Sequence, residues 1–281
     1  MPVKWTVVVT GASGFLGHAI VHNLRRRALD VVAVSRKPLL DGLQINSYAE
    51  TPSGDVLIHL AEERDRSGAQ AGGEEYECAA ANTLSALLTT KWKKVVYTSS
   101  AVLYGDGSCT HRRPSDQIWI TDTYTRVKKA GEQAVLDSDI GIVVRLANLY
   151  GRGMAPNNVV STILRQLPGD KPISVWDDAP VRDFIWVEDA AEAIATIAAA
   201  SGFDHTGIYN VGSGVGTSIR ELSVMALDIA GCPGRTVQAS RSSNRASCLV
   251  LDISDTKKDW GWLPKTRLRE GLTRLIHPHL T

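Results

Sequence analysis

The chain alternates short runs of consecutive apolar residues with longer segments in which apolar residues recur every three or four positions. The short runs are rich in Val and Ile, which is typical of strands buried on both faces of a sheet. The longer segments have the periodicity of helices that cover such a sheet. Strands are predicted at 4–10, 30–35, 55–61, 94–100 and 141–151, and helices at 18–28, 74–91 and 121–136. This alternation predicts an α/β fold with a doubly wound parallel sheet.

The alternation is less regular after residue 151, where strand, loop and helix patterns mix. An alanine-rich helix at 188–200 has the composition of a helix that covers the sheet. We therefore predict two units that the chain connects more than once. They are a nucleotide-binding domain over residues 1–150, to which 184–202 return, and a smaller C-terminal substrate-binding lobe formed by 151–183 and 203–281.

The segment TGASGFLG places Gly11, Gly14 and Gly17 between the first predicted strand and the first predicted helix. Glycines at this spacing allow a tight turn and let the backbone approach a pyrophosphate, while the helix N-terminus faces its negative charge. A glycine triplet alone is weak evidence, because tight turns without a ligand also use glycine. Its position at the first strand-to-helix junction favours a dinucleotide-binding loop.

The residues after the second strand bear on which dinucleotide is bound. An Asp or Glu there holds the ribose 2′-hydroxyl of NAD, whereas Arg accommodates the 2′-phosphate of NADP. The strand ends in VVAVSRKP, so Ser35, Arg36 and Lys37 occupy this region without a carboxylate. This favours NADP(H) over NAD, which stays possible. The alternative is a solvated basic turn.

Proton-transfer chemistry is suggested by TDTYTRVKKAGEQAVL at 121–136, where Tyr124 and Lys128 lie one helical turn apart. Residues i and i+4 share a helix face, so the ammonium can stabilise a phenolate. Such pairs are also frequent on ordinary helix surfaces. The pair alone does not distinguish a catalytic tyrosine from a surface residue.

Charge and cysteine content narrow the possible partners. The 31 basic and 30 acidic residues leave a net charge of +1, which gives no attraction to nucleic acid or membranes. No apolar run approaches the ~18 residues of a membrane span. The cysteines form no CxxC pair and are expected to be reduced thiols, with no metal site, in a cytoplasmic protein. They are Cys78, Cys109, Cys232 and Cys248.

Eight segments together resemble the extended short-chain dehydrogenase/reductase family, in its nucleotide-sugar epimerase/dehydratase group. In chain order they are TGASGFLG, DVLIHLAE, VVYTSSAVLYG, YTRVK, RLANLYG, VRDFIWVEDAAEAI, IYNVGSG and LDISDTKKDWGW. They follow the family's order over nearly the whole chain. The resemblance implies a Rossmann fold with a C-terminal substrate lobe and a catalytic set of Ser or Thr, Tyr and Lys.

Carried over to this chain, the resemblance implies that Tyr124 transfers the proton and that Lys128 reaches the nicotinamide ribose. It implies that Ser100 hydrogen-bonds the substrate carbonyl, although a serine at a strand end also suits a turn cap. For the dinucleotide it implies contacts from Ser13, Phe15, Leu16, Leu60 and Ala61, beside the glycines and the basic turn. For the substrate it implies contacts from Val102, Asn148, Arg182 and Arg241, with Arg245 as a rival of Arg241. The alternative for each arginine is a surface ion pair.

The two residues that follow Ser100 restrict the reactions that this chain could catalyse. The family's dehydratases carry an acidic pair there and its 3,5-epimerising members a cysteine, whereas this chain has Ala101 and Val102. Neither side chain can move a proton, so the predicted reaction needs only a hydride and one proton.

The basic turn favours NADP(H), and a net reduction consumes NADPH from an exchangeable pool. We therefore predict an NADPH-dependent reductase of a nucleotide-linked 4-keto-6-deoxy sugar. One alternative is a UDP-hexose 4-epimerase that retains NAD. A non-catalytic dinucleotide sensor is disfavoured, because Ser100, Tyr124 and Lys128 are all present. The resemblance also implies a homodimer formed by the helices at 74–91 and 122–137.

Overall fold

The central element of the protein is a seven-stranded parallel sheet, seen in a computed structural model that describes residues 5–63, 65–107, 109–201, 205–241 and 247–278. The strands are β1 (Thr6–Thr10), β2 (Asp30–Ser35), β3 (Leu43–Gln44), β4 (Val56–His59), β5 (Lys94–Ser100), β6 (Gly141–Leu146), β7 (Asn148–Tyr150), β8 (Ile173–Val175), β9 (Val181–Trp186), β10 (Gly207–Val211), β11 (Gly216–Ser218), β12 (Val237–Ala239) and β13 (Cys248–Leu249). The helices are α1 (Phe15–Arg26), α2 (Arg66–Leu88), α3 (Thr123–Leu136), α4 (Val159–Gln166), α5 (Val187–Ala199), α6 (Ile219–Ile229), α7 (Ser254–Trp260) and α8 (Leu268–Ile276).

The strand order of this sheet is β10-β6-β5-β4-β1-β2-β3, and all its pairs are parallel. After β1 the chain builds β2 and β3 on one side, and it then crosses to β4 on the other side. The order therefore reverses between β1 and β4, where an open α/β sheet forms a ligand-binding crevice at the carboxyl ends of its strands. The predicted doubly wound parallel sheet is confirmed.

Helices cover both faces of the sheet, and the alternation of side chains along β1 shows how. Val7 and Val9 belong to the core formed with α1 and α5, whereas Val8 belongs to the core formed with α2 and α3. All three valines are fully buried. A strand buried on both faces favours apolar residues at successive positions, which explains the three consecutive valines of TVVVT.

A second lobe lies beyond β6 and has its own core. Strand β9 is its centre, with β7 and β13 parallel to it and β11 antiparallel. A separate pair is formed by β8 and β12. The core of this lobe includes Tyr150, Phe184, Trp186, Leu222 and Leu272.

Three predicted boundaries are corrected by the structure. The predicted strand 141–151 is two strands, because β6 ends at Leu146 and β7 pairs with β9 in the other sheet. The helix predicted at 74–91 ends at Leu88, and the non-helical backbone of Gly73 separates it from a preceding segment of α2 that begins at Arg66. Strand β10 joins the large sheet beside β6, so the assignment of 203–281 to the lobe is wrong for this strand. Hydrophobicity does not show which sheet a strand joins, since the strands of both sheets are apolar.

The expectation of four reduced thiols is wrong for two of them. Cys109 and Cys248 form a disulfide, with their Cα atoms 5.1 Å apart. They are 139 positions apart in sequence, and only the folded chain brings the loop after β5 against β13. Cys78 and Cys232 are free thiols. No helix within the described ranges is long and apolar enough to cross a membrane.

The disulfide leads to a test of stability. Cys109→Ser should lower the free energy of unfolding of the oxidised protein by about 2–4 kcal/mol, because the bond restricts the unfolded chain. Denaturant unfolding of both proteins with and without a thiol reductant measures this, with Cys78→Ser as control. Identical midpoints for the wild type in both conditions would contradict a stabilising disulfide.

Candidate active site

A cleft of about 480 Å³ lies at the carboxyl ends of β1, β4, β5 and β6, at the point where the strand order reverses. The segments that line it are the loop after β1, the end of β5, the start of α3 and residues 146–149 from the end of β6 into β7. After β4 the lining residues are Leu60, Glu62, Glu63, Asp65 and Arg66. Of the predicted site residues, the lining includes Gly11, Gly14, Phe15, Leu16, Gly17, Leu60, Ser100, Val102, Tyr124, Lys128 and Asn148.

The glycine loop is shaped by close backbone approach. Gly11 has φ 74°, and a Cβ there would lie 3.0 Å from the backbone of Leu60 and of Ala61. A Cβ at Gly17 would overlap the carbonyl oxygen of Gly11. Helix α1 begins at Phe15, and its N-cap Gly14 provides no side-chain cap. The first amide groups of α1 are therefore suited to an anion such as a pyrophosphate.

A basic pocket adjoins the glycine loop beyond the end of β2. Its lining includes Ser13, His18, Ser35, Arg36, Lys37, Tyr48 and Arg152, and no acidic side chain of the described chain contributes to it. The Arg36 guanidinium lies over the Tyr48 ring, 5.3 Å from its centroid. Ser35 is buried and has a structural role, because its Oγ contacts Ser13 Oγ at 2.6 Å and accepts a bond from the Lys37 amide.

Helix α3 carries Tyr124 and Lys128 into the cleft from a well-defined start. The Asp122 carboxylate accepts a hydrogen bond from the Thr125 amide, and Thr125 Oγ1 accepts one from the Asp122 amide. This reciprocal cap fixes the first helical turn. Arg66, which also lines the cleft, pairs with Asp122.

Lys128 is buried, and its ammonium is held by oxygen atoms on two sides. Nζ donates to the carbonyl oxygen of Thr98 at 2.8 Å and pairs with Glu62 Oε2 at 2.8 Å. Burial lowers the pKa of Lys128, but the attraction and hydrogen bond of Glu62, together with the nearby Tyr124 and Tyr76, raise the pKa above its usual value. Lys128 therefore stays an ammonium at neutral pH. Its Nζ lies 5.8 Å from the centroid of the Tyr124 ring.

Ser100 ends β5 and faces the same cleft. Its Oγ accepts the Val102 amide at 3.3 Å, so the turn-capping interpretation is correct for this serine. An oxygen that accepts this bond keeps its own proton available for a substrate carbonyl. Val102 lines the cleft and Ala101 is buried.

The two arginines predicted to contact the substrate do not line this cleft in the described part of the chain. Arg182 donates to the Ser247 side chain and pairs with Asp106 at 3.2 Å. Arg241 is exposed, and its amide donates to the carbonyl oxygen of Trp176. Arg245 lies outside the described residues. Asn148 does line the cleft, and its side chain donates to the carbonyl oxygen of Asp183.

Glu62, the buried partner of Lys128, was not among the site residues predicted from the sequence. The Tyr97 hydroxyl contacts both Glu62 oxygens, at 2.8 and 2.9 Å. A signal was available, because Glu62 follows β4 closely and the carboxyl ends of parallel strands form the crevice. Its pairing with a lysine 66 positions away had no sequence signal.

Together these groups can support transfer of a hydride and a proton. A phenol, an ammonium and a hydroxyl meet in a cleft whose loop suits a dinucleotide, the arrangement needed to protonate an oxygen during carbonyl reduction. Within the ranges that the structure describes, no cluster of His, Cys, Asp or Glu could hold a metal ion.

Known proteins that resemble this chain share its fold, and their names refer to nucleotide sugars. A model of the NAD-dependent epimerase/dehydratase family matches residues 7–212. A dTDP-4-keto-6-deoxy-D-glucose reductase of Streptomyces niveus is 33% identical over 222 residues, 73% of each chain. A putative UDP-glucose 4-epimerase of Methanocaldococcus jannaschii is 25% identical over an alignment of 301 residues, 96% of this chain and 97% of that one.

Among solved structures, MoeE5 in complex with UDP-glucose and NAD superposes with a TM-score of 0.82 and 26% sequence identity. The match covers 96% of this chain and 97% of that one. By their names, the two relatives are a reductase and a putative epimerase, each of a nucleotide-linked sugar.

The position of Tyr124 in the cleft leads to a test of its role. Tyr124→Phe should keep the fold and dinucleotide binding but lower turnover by about 10²–10⁴-fold, because the proton donor is removed. Steady-state kinetics measure the loss, and fluorescence titration checks that the dinucleotide still binds. Tyr209→Phe is a control, since Tyr209 lies on the edge strand β10, outside the lining of the cleft, and its hydroxyl donates to Asp259. Near-native turnover by Tyr124→Phe would remove Tyr124 from the mechanism.

Proposed function

The chain belongs to the NAD-dependent epimerase/dehydratase family, and we propose that it is an NADPH-dependent reductase of a nucleotide-linked 4-keto-6-deoxy sugar. One observation carries this proposal. The cleft that holds Ser100, Tyr124 and Lys128 adjoins a dinucleotide pocket whose lining is basic at the end of β2.

The charges of that pocket support NADPH. Arg36 and Lys37 follow β2 directly, and His18 and Arg152 line the same pocket from other segments. A 2′-phosphate adds about two negative charges, which Arg binds through charge-assisted hydrogen bonds. A carboxylate for the 2′-hydroxyl of NAD is missing from the lining in the described ranges. The NAD in the MoeE5 structure supports a nicotinamide dinucleotide in general.

The proposed mechanism assigns one task to each residue. The nicotinamide dinucleotide, when bound, would supply the hydride for the carbonyl carbon of the sugar. Ser100 donates a hydrogen bond to the carbonyl oxygen, and Tyr124 gives its proton to that oxygen as charge develops there. Lys128 stabilises the resulting phenolate by its charge and reaches the ribose hydroxyls.

Fewer residues support the choice of substrate than support the choice of cofactor. Val102 offers an apolar side chain in the cleft, which suits the methyl group of a 6-deoxy sugar. Asn148 lines the same cleft and is our candidate for a contact with the diphosphate. Arg182 and Arg241 are our further candidates for the diphosphate, and for Arg182 this requires that the phosphate displace Asp106. An arginine fork suits phosphate oxygens.

The competing proposal is a UDP-hexose 4-epimerase. It is favoured by the likeness to the putative UDP-glucose 4-epimerase and to MoeE5 with UDP-glucose and NAD. Such an enzyme would use the same Ser100, Tyr124 and Lys128, return the hydride to the opposite face and retain its cofactor. Cofactor exchange therefore separates the two reactions.

We also propose a homodimer formed through α2 and α3. These helices border an apolar groove at the surface, lined by Ala80, Ala81, Leu84, Leu88, Val127, Ala130 and Ala134. Small residues let a second helix pair approach closely.

The cytoplasm is the proposed compartment, since NADPH and nucleotide sugars are used there. The Cys109–Cys248 disulfide is the feature that argues against it, because reducing compartments keep such pairs open.

The cofactor prediction tests the proposed function. The affinity of wild type should be higher for NADPH than for NADH by about one to two decades. This difference corresponds to one charge-assisted hydrogen bond, which contributes roughly 1.5–3 kcal/mol. The double variant Arg36→Ala/Lys37→Ala should lose most of this preference with NADH binding nearly unchanged. Fluorescence titration of both dinucleotides measures it.

A matched control removes the same two charges elsewhere. Lys257→Ala/Lys258→Ala changes exposed residues of α7 that do not line the pocket, so its preference should stay that of wild type. A wild type without a preference for NADPH, or one purified with firmly held NAD, would overturn the reductase and favour the epimerase.

The dimer leads to a separate prediction. Ala134→Glu places a charge in the groove, so it should convert a dimer to monomer at micromolar concentration, as measured by light scattering. Ala239→Glu, at an exposed alanine outside the groove, is the control and should stay dimeric. A monomeric wild type would contradict the proposed assembly.

A further inference from the structure

A buried carboxylate, Glu62, separates the active-site cleft from the groove between α2 and α3. Glu62 lines both cavities, and its side chain is only 5% exposed. It holds the catalytic-cleft lysine on one side and the Tyr97 hydroxyl on the other. A carboxylate at this depth is costly to bury unless its partners compensate.

The hydrogen bonds of Lys128 show what this carboxylate does. An ammonium has three N–H donors. One is used by the Thr98 carbonyl and a second by Glu62, both at 2.8 Å. A single donor is left for the cleft, and the two fixed bonds determine where it points.

Glu62 is in turn fixed by its neighbours. The Tyr97 hydroxyl donates to its carboxylate, and burial raises the pKa of Tyr97 well above its usual value, so this donor keeps its proton. His59 Nε2 lies 4.0 Å from Glu62, but burial lowers the pKa of His59 to about 4. His59 is therefore neutral near pH 7. Lys128 is the cation that balances the Glu62 charge.

We propose that Glu62 is a positioning residue for the reaction: its carboxylate keeps Lys128 an ammonium and holds its remaining N–H towards the cleft. This inference rests on the proposed function for its kinetic consequences. Its electrostatic part concerns Lys128 alone and can be measured without a substrate.

The consequence is a dependence on pH. Without the Glu62 charge, burial lowers the pKa of Lys128 against only the smaller opposing effects of Tyr124 and Tyr76. Lys128 then loses its proton at a lower pH than in wild type. Once neutral, Lys128 no longer supports Tyr124 electrostatically. The groups that face Glu62 or Lys128 from the packed elements are His59 on β4, Tyr97 on β5, Tyr76 on α2, and Tyr124 on α3.

The test compares Glu62→Gln with wild type. We expect kcat to fall about 10- to 100-fold with the KM of the sugar little changed, since a misplaced group acts mainly on the transition state. The alkaline limb of the kcat/KM profile should move to lower pH by about one unit or more, the usual effect of a close opposite charge. A purely structural role would lower kcat without moving this limb, and that result would overturn the proposal.

Two further variants separate charge from shape. Glu62→Asp keeps the charge and should keep the alkaline limb of wild type while recovering only part of kcat. Tyr97→Phe removes the hydrogen bond that orients Glu62 and should lower kcat in the same direction. If Glu62→Gln does not fold, these two variants decide: a Tyr97→Phe enzyme with unchanged kcat and pH profile would overturn the proposal. Glu192→Gln is the matched control, because it neutralises a carboxylate paired with Lys265 at the surface.

A readout without turnover distinguishes this inference from the proposed function. NMR of protein labelled at lysine Nζ, with Lys128 assigned by its loss in Lys128→Met, follows the Lys128 titration directly. Titration at lower pH in Glu62→Gln than in wild type supports the inference even if no 4-keto sugar is reduced. Identical titration in both proteins overturns it even if the reductase is confirmed.

Discussion

A buried carboxylate of helix α3, Glu132, binds the helix to the sheet, and the position of the site depends on this contact. Glu132 binds the Arg145 guanidinium of β6 through two bonds of 2.8 and 2.7 Å and accepts the Ser99 hydroxyl of β5 at 2.6 Å. Both charged side chains are almost completely buried. Removing one partner of such a pair leaves an uncompensated charge and costs about 3–5 kcal/mol.

This attachment sets the geometry of the cleft because Tyr124, Lys128 and Glu132 recur every four residues and share one helix face. Glu132 fixes that face against the sheet, so the two residues before it must point towards the carboxyl ends of β4 and β5. The helix also packs closely on the Tyr97 side chain of β5, since a Cβ at Gly131 would overlap the Tyr97 hydroxyl. The reacting groups thus project from packed elements, which hold them more accurately than loops do.

The sequence predicted those parts of the molecule that local pattern determines. The continuous apolar strands, the glycine loop and the spacing of Tyr124 and Lys128 are all visible within a few residues, and the structure places them at one sheet edge. The split of 141–151 into β6 and β7 was not visible, because a strand that changes sheets keeps its apolar character. The Glu62–Lys128 pair and the Cys109–Cys248 bond join residues far apart in sequence, and no periodicity reports such contacts.

Two ion pairs near the cleft differ in how readily they can exchange partners. The side chains of Lys128 and Glu62 are 9% and 5% exposed, so separating them would leave two charges without water. Arg182 and Asp106 are 22% and 54% exposed, and surface pairs of this kind contribute about 0–1 kcal/mol. The proposed substrate diphosphate can therefore replace Asp106 at little cost, whereas nothing in the reaction has to disturb Glu62. Burial thus separates a pair that is held in one geometry from a pair whose arginine the proposed substrate could engage.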